Sequence, residues 1–237
     1  MTQNHPRRPW ALRAALGVIL PAAWACTAGQ VKIDHHNLTA LKDAPPIRVA
    51  RYEPPAFAVE DPSNALVKSV SGMSGGVLVR PGRGAGDAPM EIEYALDDPA
   101  TAIGDKVFDS LSFELGVRRA DLEEPPLSDD GVEALARAAG REGWLLDVKT
   151  LHWGIAPDPK FWTRYLVRVK ARGRLIDLSR ARVVWQAGCD GSEADAPRTS
   201  VLGDLTAHDA AALKERLTAA AGRCAEELVA HLFAGVR

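Results

Sequence analysis

A chain of 237 residues with 29 basic and 31 acidic side chains has a formal charge of −2, and 46% of its residues are hydrophobic. That balance excludes a polyanion-binding surface spread over the whole molecule, and it supplies enough apolar material for one substantial core. The N-terminus departs from it. Arg7, Arg8 and Arg13 all precede the first acid, Asp34, and an apolar run over 14–25 follows them and stops at Cys26. A basic head, a short apolar stretch and a small-residue exit have the make-up of a secretory signal peptide. The run is shorter than the roughly 20 apolar residues of a bilayer span, so 1–25 reads as a leader and not as a transmembrane helix.

Ala25 before Cys26 resembles the lipobox of bacterial lipoproteins, in which a cysteine becomes the first mature residue and carries the lipid. Ala23 and Trp24 depart from the usual lipobox, and Ala23-Trp24-Ala25 equally forms an A-x-A site for ordinary signal peptidase at the same bond. Cysteine arithmetic favours the lipid. Cys26, Cys189 and Cys224 are an odd set for an oxidising compartment, and lipidation of Cys26 leaves one pair. Thr27, where Asp is absent, resembles lipoproteins sorted to the outer membrane; a soluble periplasmic or secreted form is the alternative. Losing 1–25 removes three basic residues and no acid, which leaves a mature charge of −5 and no electrostatic case for a nucleic-acid partner.

The mature chain begins with a polar segment, 26–46, that ends in Pro45-Pro46 and reads as an extended tether to one α+β domain over 47–237. Alternation over 47–52 predicts a first strand, closed by Pro54-Pro55. A short helix is expected in 63–74. Strands are expected at 76–80 and 91–96, around a glycine-rich loop from Pro81 to Pro89. Asp98 and Pro99 open a helix whose apolar face is Ile103, Val107, Phe108, Leu111 and Leu115. A second helix is expected over 128–139, with Gly140 as its stop.

The clearest block is a three-strand meander and a long C-terminal helix. The first strand covers 144–153. The second places Tyr165, Val167, Val169, Ala171 and Leu175 on one face, with Arg164, Arg168, Lys170, Arg172 and Arg174 on the other. The third continues the apolar face with Ala181, Val183, Trp185, Ala187 and Cys189. The helix, about 209–233, carries an apolar stripe of Leu213, Leu217, Ala221, Cys224, Leu228 and Leu232. The fold class is therefore α+β: an antiparallel or mixed sheet with helices on one face and one wet face. Packing the stripe on the sheet brings Cys189 and Cys224 together and predicts a disulfide.

Few constellations suggest chemistry. Ser74 in Gly72–Gly76 has the letters of a nucleophile elbow, but a strand follows it where a helix is needed. Gly82–Gly86 lacks the lysine and hydroxyl of a phosphate loop. Asp34-His35-His36 lacks zinc-like spacing, so no metal is expected. Glu91/Glu93 and Asp97/Asp98 are carboxylate pairs without a cleft. The row Arg164, Arg168, Lys170, Arg172, Arg174 is a candidate contact for an anionic surface, with cross-strand pairing to Asp147 as the plainer explanation.

The meander and final helix, with Trp185 four residues before Cys189 and Cys224 in the helix, resemble uncharacterised proteobacterial envelope lipoproteins. That domain is similar to those of transport-auxiliary lipoproteins, the curli-secretion lipoprotein and the penicillin-binding-protein activator lipoprotein. The resemblance implies a membrane-anchored accessory module with an envelope protein partner, no cofactor and no catalysis. It carries over no functional residue. The alternative is a periplasmic hydrolase using Ser74 or a carboxylate pair.

Overall fold

A computed structural model describes residues 29–60, 80–83, 88–122, 126–161, 163–193 and 201–234. Cys26, Ser74 with its flanking glycines, the helix expected in 63–74 and all but Arg80 of the strand expected at 76–80 lie outside those residues. In chain order the elements are α1 (His35–Lys42), β1 (Ile47–Val49), β2 (Ala58–Val59), β3 (Arg80–Pro81), α2 (Met90–Glu93), α3 (Pro99–Leu115), β4 (Arg119–Asp121), α4 (Val132–Ala138), β5 (Trp144–Pro157), β6 (Tyr165–Asp177), β7 (Arg182–Asp190) and α5 (Leu202–Phe233). No helix among the described residues is long and apolar enough to cross a membrane.

The fold is α+β, with a mixed sheet centred on β5. One edge of β5 pairs antiparallel with β6, and β6 with β7, giving the expected meander. The other edge is shared end to end. β1 lies parallel to Leu145–Leu146, and β2 lies parallel to Gly154–Ile155. β4 adds parallel outside β1, and β3 antiparallel outside β2. Parallel neighbours need a crossover, and α3 supplies the one between β1 and β4. It starts on the Asp98 cap and ends at Gly116, whose φ of 70° suits a residue without Cβ.

Strict alternation on β6 and the stripe on α5 explain the main core. Val167, Val169, Ala171 and Leu175 meet Leu213, Leu217, Leu228 and Leu232, and α3 adds Ile103, Val107 and Leu111. Gly173 keeps that row flat because a Cβ there would come within 2.8 Å of the buried Trp185 ring. The Cys189–Cys224 disulfide forms as expected, with α-carbons 5.1 Å apart, and ties β7 to α5.

Several expectations are corrected. The segment expected to be an extended tether folds: α1 is capped by the Asp34 carboxylate, which accepts from Asn37 N at 2.7 Å, and it buries Leu38 and Leu41 in the core. Only two core leucines in a polar stretch gave too weak a period to read as a helix. Residues 91–96 are not a strand. After Pro89 the backbone turns into α2, closing Glu93 N→Pro89 O and Tyr94 N→Met90 O bonds of 3.0 Å each and leaving Ile92 exposed. The helix expected from 128 begins at Val132, because the Asp129 carboxylate accepts from Gly131 N and makes a turn first. On β7 the pairing slips between Leu175 and Ile176, so Val184 joins the main core and Val183 turns to the opposite face. Ala181 also packs there. Finally, α5 is broken at its start. Ala207 is extended, and His208, Asp209 and Ala210 are left-handed.

The second face of the sheet is not uniformly wet. α4 sits on it, and Leu135, Ala136 and Ala139 pack with Leu145, Ile176 and Leu178 in a small separate core.

Candidate functional site

The β6 row opposite α5 divides into two parts. At its inner end Arg174 lies opposite Asp147 in the strand register, and Arg174 Nε donates to Asp147 Oδ2. Arg174 Nη2 also donates to Asp130 O at 2.7 Å, and the Arg174 and Asp147 side chains are both buried. Arg172 Nη2 donates to Asp130 Oδ2 at 3.0 Å and lies 3.5 Å from Asp147 Oδ2. Lys149 Nζ donates to the same Asp130 oxygen at 3.0 Å and stands 5.1 Å from the centre of the Tyr52 ring. The hydrogen bond from Lys149 holds the Asp130 carboxyl below its ordinary range, with Arg172 assisting. Burial pushes the Tyr52 phenol upward, and the Asp147 carboxylate adds to that.

The expectation of a wet basic face therefore fails for Arg172 and Arg174. The physical reason is non-local: α4 and the turn before it lie over this end of the sheet, and Asp130 and Asp147 neutralise the cations they cover. The pairing of Asp147 with the row, by contrast, is as expected.

The outer end is open. Lys170 is exposed and pairs with Asp190 at 3.1 Å, and Arg168 is partly exposed. His152 is opposite Lys170; burial holds its imidazole below the ordinary range, and Lys170 and Arg168 push the same way against Glu60. Beyond them the β5–β6 turn is tightly laced. Asp158 N donates to Arg164 O at 2.8 Å, Phe161 N to Asp158 O at 3.1 Å and Arg164 N to Phe161 O at 2.8 Å. The buried Asp158 carboxylate accepts from Lys160 N at 2.8 Å. This lacing presents Phe161 outward, 54% exposed, with the Arg164 guanidinium 5.2 Å from its ring centre.

Among the other candidates, Asp98 has a structural role. Asp98 accepts from Ala100 N at 3.0 Å and from Thr150 Oγ1, which fixes the start of α3. Burial raises its carboxyl above the ordinary value despite those bonds. It faces a crevice of about 140 Å³ at the end of β1, where Asp105 is paired with Arg119 at 2.6 Å. Asp97 lines a different hollow, beside Lys214, and Lys214 pairs with Asp209 at 2.8 Å. Glu91 and Glu93 lie on α2 away from that crevice's lining. Among the described residues no three His, Cys, Asp or Glu side chains converge on a metal position.

Two features escaped sequence reasoning. Phe161 carried a signal, an aromatic residue two positions after Pro157-Asp158-Pro159. The other is a pairing of the N-terminal segment with the far edge of the sheet. Val31 and Gln186 exchange backbone hydrogen bonds of 3.0 and 2.9 Å, and Gln186 Nε2 donates to Gly29 O at 2.9 Å. No local signal announces a partner so far away in the chain.

No protein-family model, no curated protein and no solved structure matches the chain.

Proposed function

We propose that this chain is a lipoprotein acylated on Cys26, acting at the periplasmic face of the envelope as an accessory module that binds a protein partner. One observation carries the reading. Gly29 and Val31 are held on β7, and Cys26 is only three residues before Gly29. Three extended residues span at most about 11 Å, so the lipid would be joined to Gly29 by a short reach and not by a long leash. That arrangement suits a protein that works by contact at a membrane surface. A lipoprotein anchor of two or three acyl chains gives stable attachment, where a single chain is marginal. The inner half of the β6 row is taken up by Asp147 and Asp130, and the outer half with the hairpin remains on the surface.

The test has two parts. Intact mass of the membrane-extracted protein is expected to show a diacyl- or triacylglyceryl group on Cys26; an unmodified Cys26 in the soluble periplasm ends the anchor reading. Crosslinking in intact cells followed by purification is expected to recover a defined envelope protein. Labelling of Ser74 by a fluorophosphonate probe would replace the accessory role with a hydrolase.

A further inference from the structure

The geometry points to how the anchored domain lies: we propose that the β5–β6 hairpin tip, with the outer half of the β6 row, is a second membrane contact that rests on anionic lipid. This rests on the reading of Cys26 as the anchor.

The direction of the chain supplies the first argument. Val31 pairs antiparallel with Gln186 on β7, so the chain traced back from Val31 runs toward Asp190. Asp190 is opposite Lys170, and from there β6 continues five residues to the hairpin at Tyr165, about 17 Å at strand rise. Gly29, three residues after the anchor in sequence, and the hairpin tip therefore lie toward the same end of the sheet. Both reach one plane when the domain lies along the membrane on its β7 side.

The second argument is chemical. The tip presents Phe161, more than half exposed and backed by the Arg164 guanidinium, an apolar ring beside a cation as found where apolar side chains enter the headgroup and acyl-chain boundary. Between tip and anchor the surface carries Arg164 and Arg168, which match an anionic headgroup layer, and Lys170, whose charge Asp190 offsets. Three of the described acids at this end are engaged within the protein: Asp190 pairs with Lys170, Glu193 with Arg216, and Asp158 laces the turn. Glu60, whose charge also acts on His152, is a further acid on this side. Phe113, 88% exposed on α3, lies on the opposite side of the sheet and serves as a reference point.

The experiment uses the full acylated protein in vesicles of phosphatidylglycerol and phosphatidylethanolamine. With Cys26 acylated and Cys189 bonded to Cys224, an added cysteine is the one free thiol. Spin labels at Lys160→Cys and Phe113→Cys report depth by collision with oxygen and with a water-soluble nickel complex. Expected are headgroup depth for the first label and bulk water for the second. Phe161→Ser and Arg164→Glu with Arg168→Glu are expected to return the first label to water while acylation and flotation with vesicles persist. In pure phosphatidylcholine the immersion is expected to fall. A label at 160 that stays in water on a protein whose Cys26 is shown to be acylated overturns the orientation and leaves the anchor reading standing. Unmodified Cys26 removes both. Equal immersion in neutral vesicles, or immersion that appears only when an envelope protein is added, overturns the assignment to anionic lipid.

Discussion

Arg172 and Arg174 belong to the same alternating row as Arg168 and Lys170, yet the two pairs live in different media. The Arg174 side chain is 7% exposed against a fully buried Asp147, whereas Lys170 and Asp190 are each about half exposed. Strand parity places all four on one face; what packs on that face decides their worth. Buried and paired, a cation costs a great deal to disturb, because removing one partner strands the other charge in a low dielectric. In water the same residue type contributes little.

The largest effect expected from this contrast is at Asp147. Asp147→Ala leaves Arg174 without its carboxylate and should cost about 3–5 kcal/mol, seen as a lower urea midpoint. Replacing the pair together, Asp147→Leu with Arg174→Met, should recover most of that loss, since an apolar pair of similar volume is often neutral. If the single and double variants are equally damaged, burial of this pair is not the source of its importance.

The disulfide calibrates the opposite face. Cys189→Ala with Cys224→Ala opens a 35-residue loop, and chain entropy values that closure at about 3–4 kcal/mol. Because the bond lies across the sheet from Asp147, its loss should add to that of Asp147→Ala within experimental error in chemical denaturation.

A smaller, pH-dependent effect is expected at Asp130. Its folded carboxyl sits below the ordinary 3.8, so its contribution is present above that value and lost as pH falls below it. Asp130→Asn should therefore be less stable than the wild type at neutral pH, with the gap closing below about pH 3.8 in acid titrations of stability. The smallest effect belongs to the outer row: Arg168→Glu with Lys170→Glu should change stability by less than about 1 kcal/mol. A loss as large as that at Asp147 would erase the distinction between the two halves.

The parts of the fold legible in the sequence are those written by local period. Alternation on β6, the stripe on α5 and the Asp98-Pro99 start of α3 stood out, and strand parity with the helix stripe brought Cys189 to Cys224. The illegible parts depend on distant partners. Nothing near Arg172 and Arg174 says that α4 will cover them, and the slip beside Leu175 that turns Val183 away is invisible in β7 itself. α1 has too few apolar residues to announce a helix, and the parallel pairings of β1 need strands more than 70 residues apart in sequence. At the candidate site, the basic row was visible, but its division into a buried and an open half was not.

The hydrogen bond from Gln186 to Gly29 spans 157 positions and has a consequence for folding order. The ribosome makes Gly29 and Val31 early and Gln186 late, so the first stretch of the domain waits for nearly all the rest before it can dock. Until then the outer edge of β7 offers unpaired backbone groups to any passing strand. The bridge of Val31 to Gln186 on that edge is a late, long-range step, the kind that slows folding.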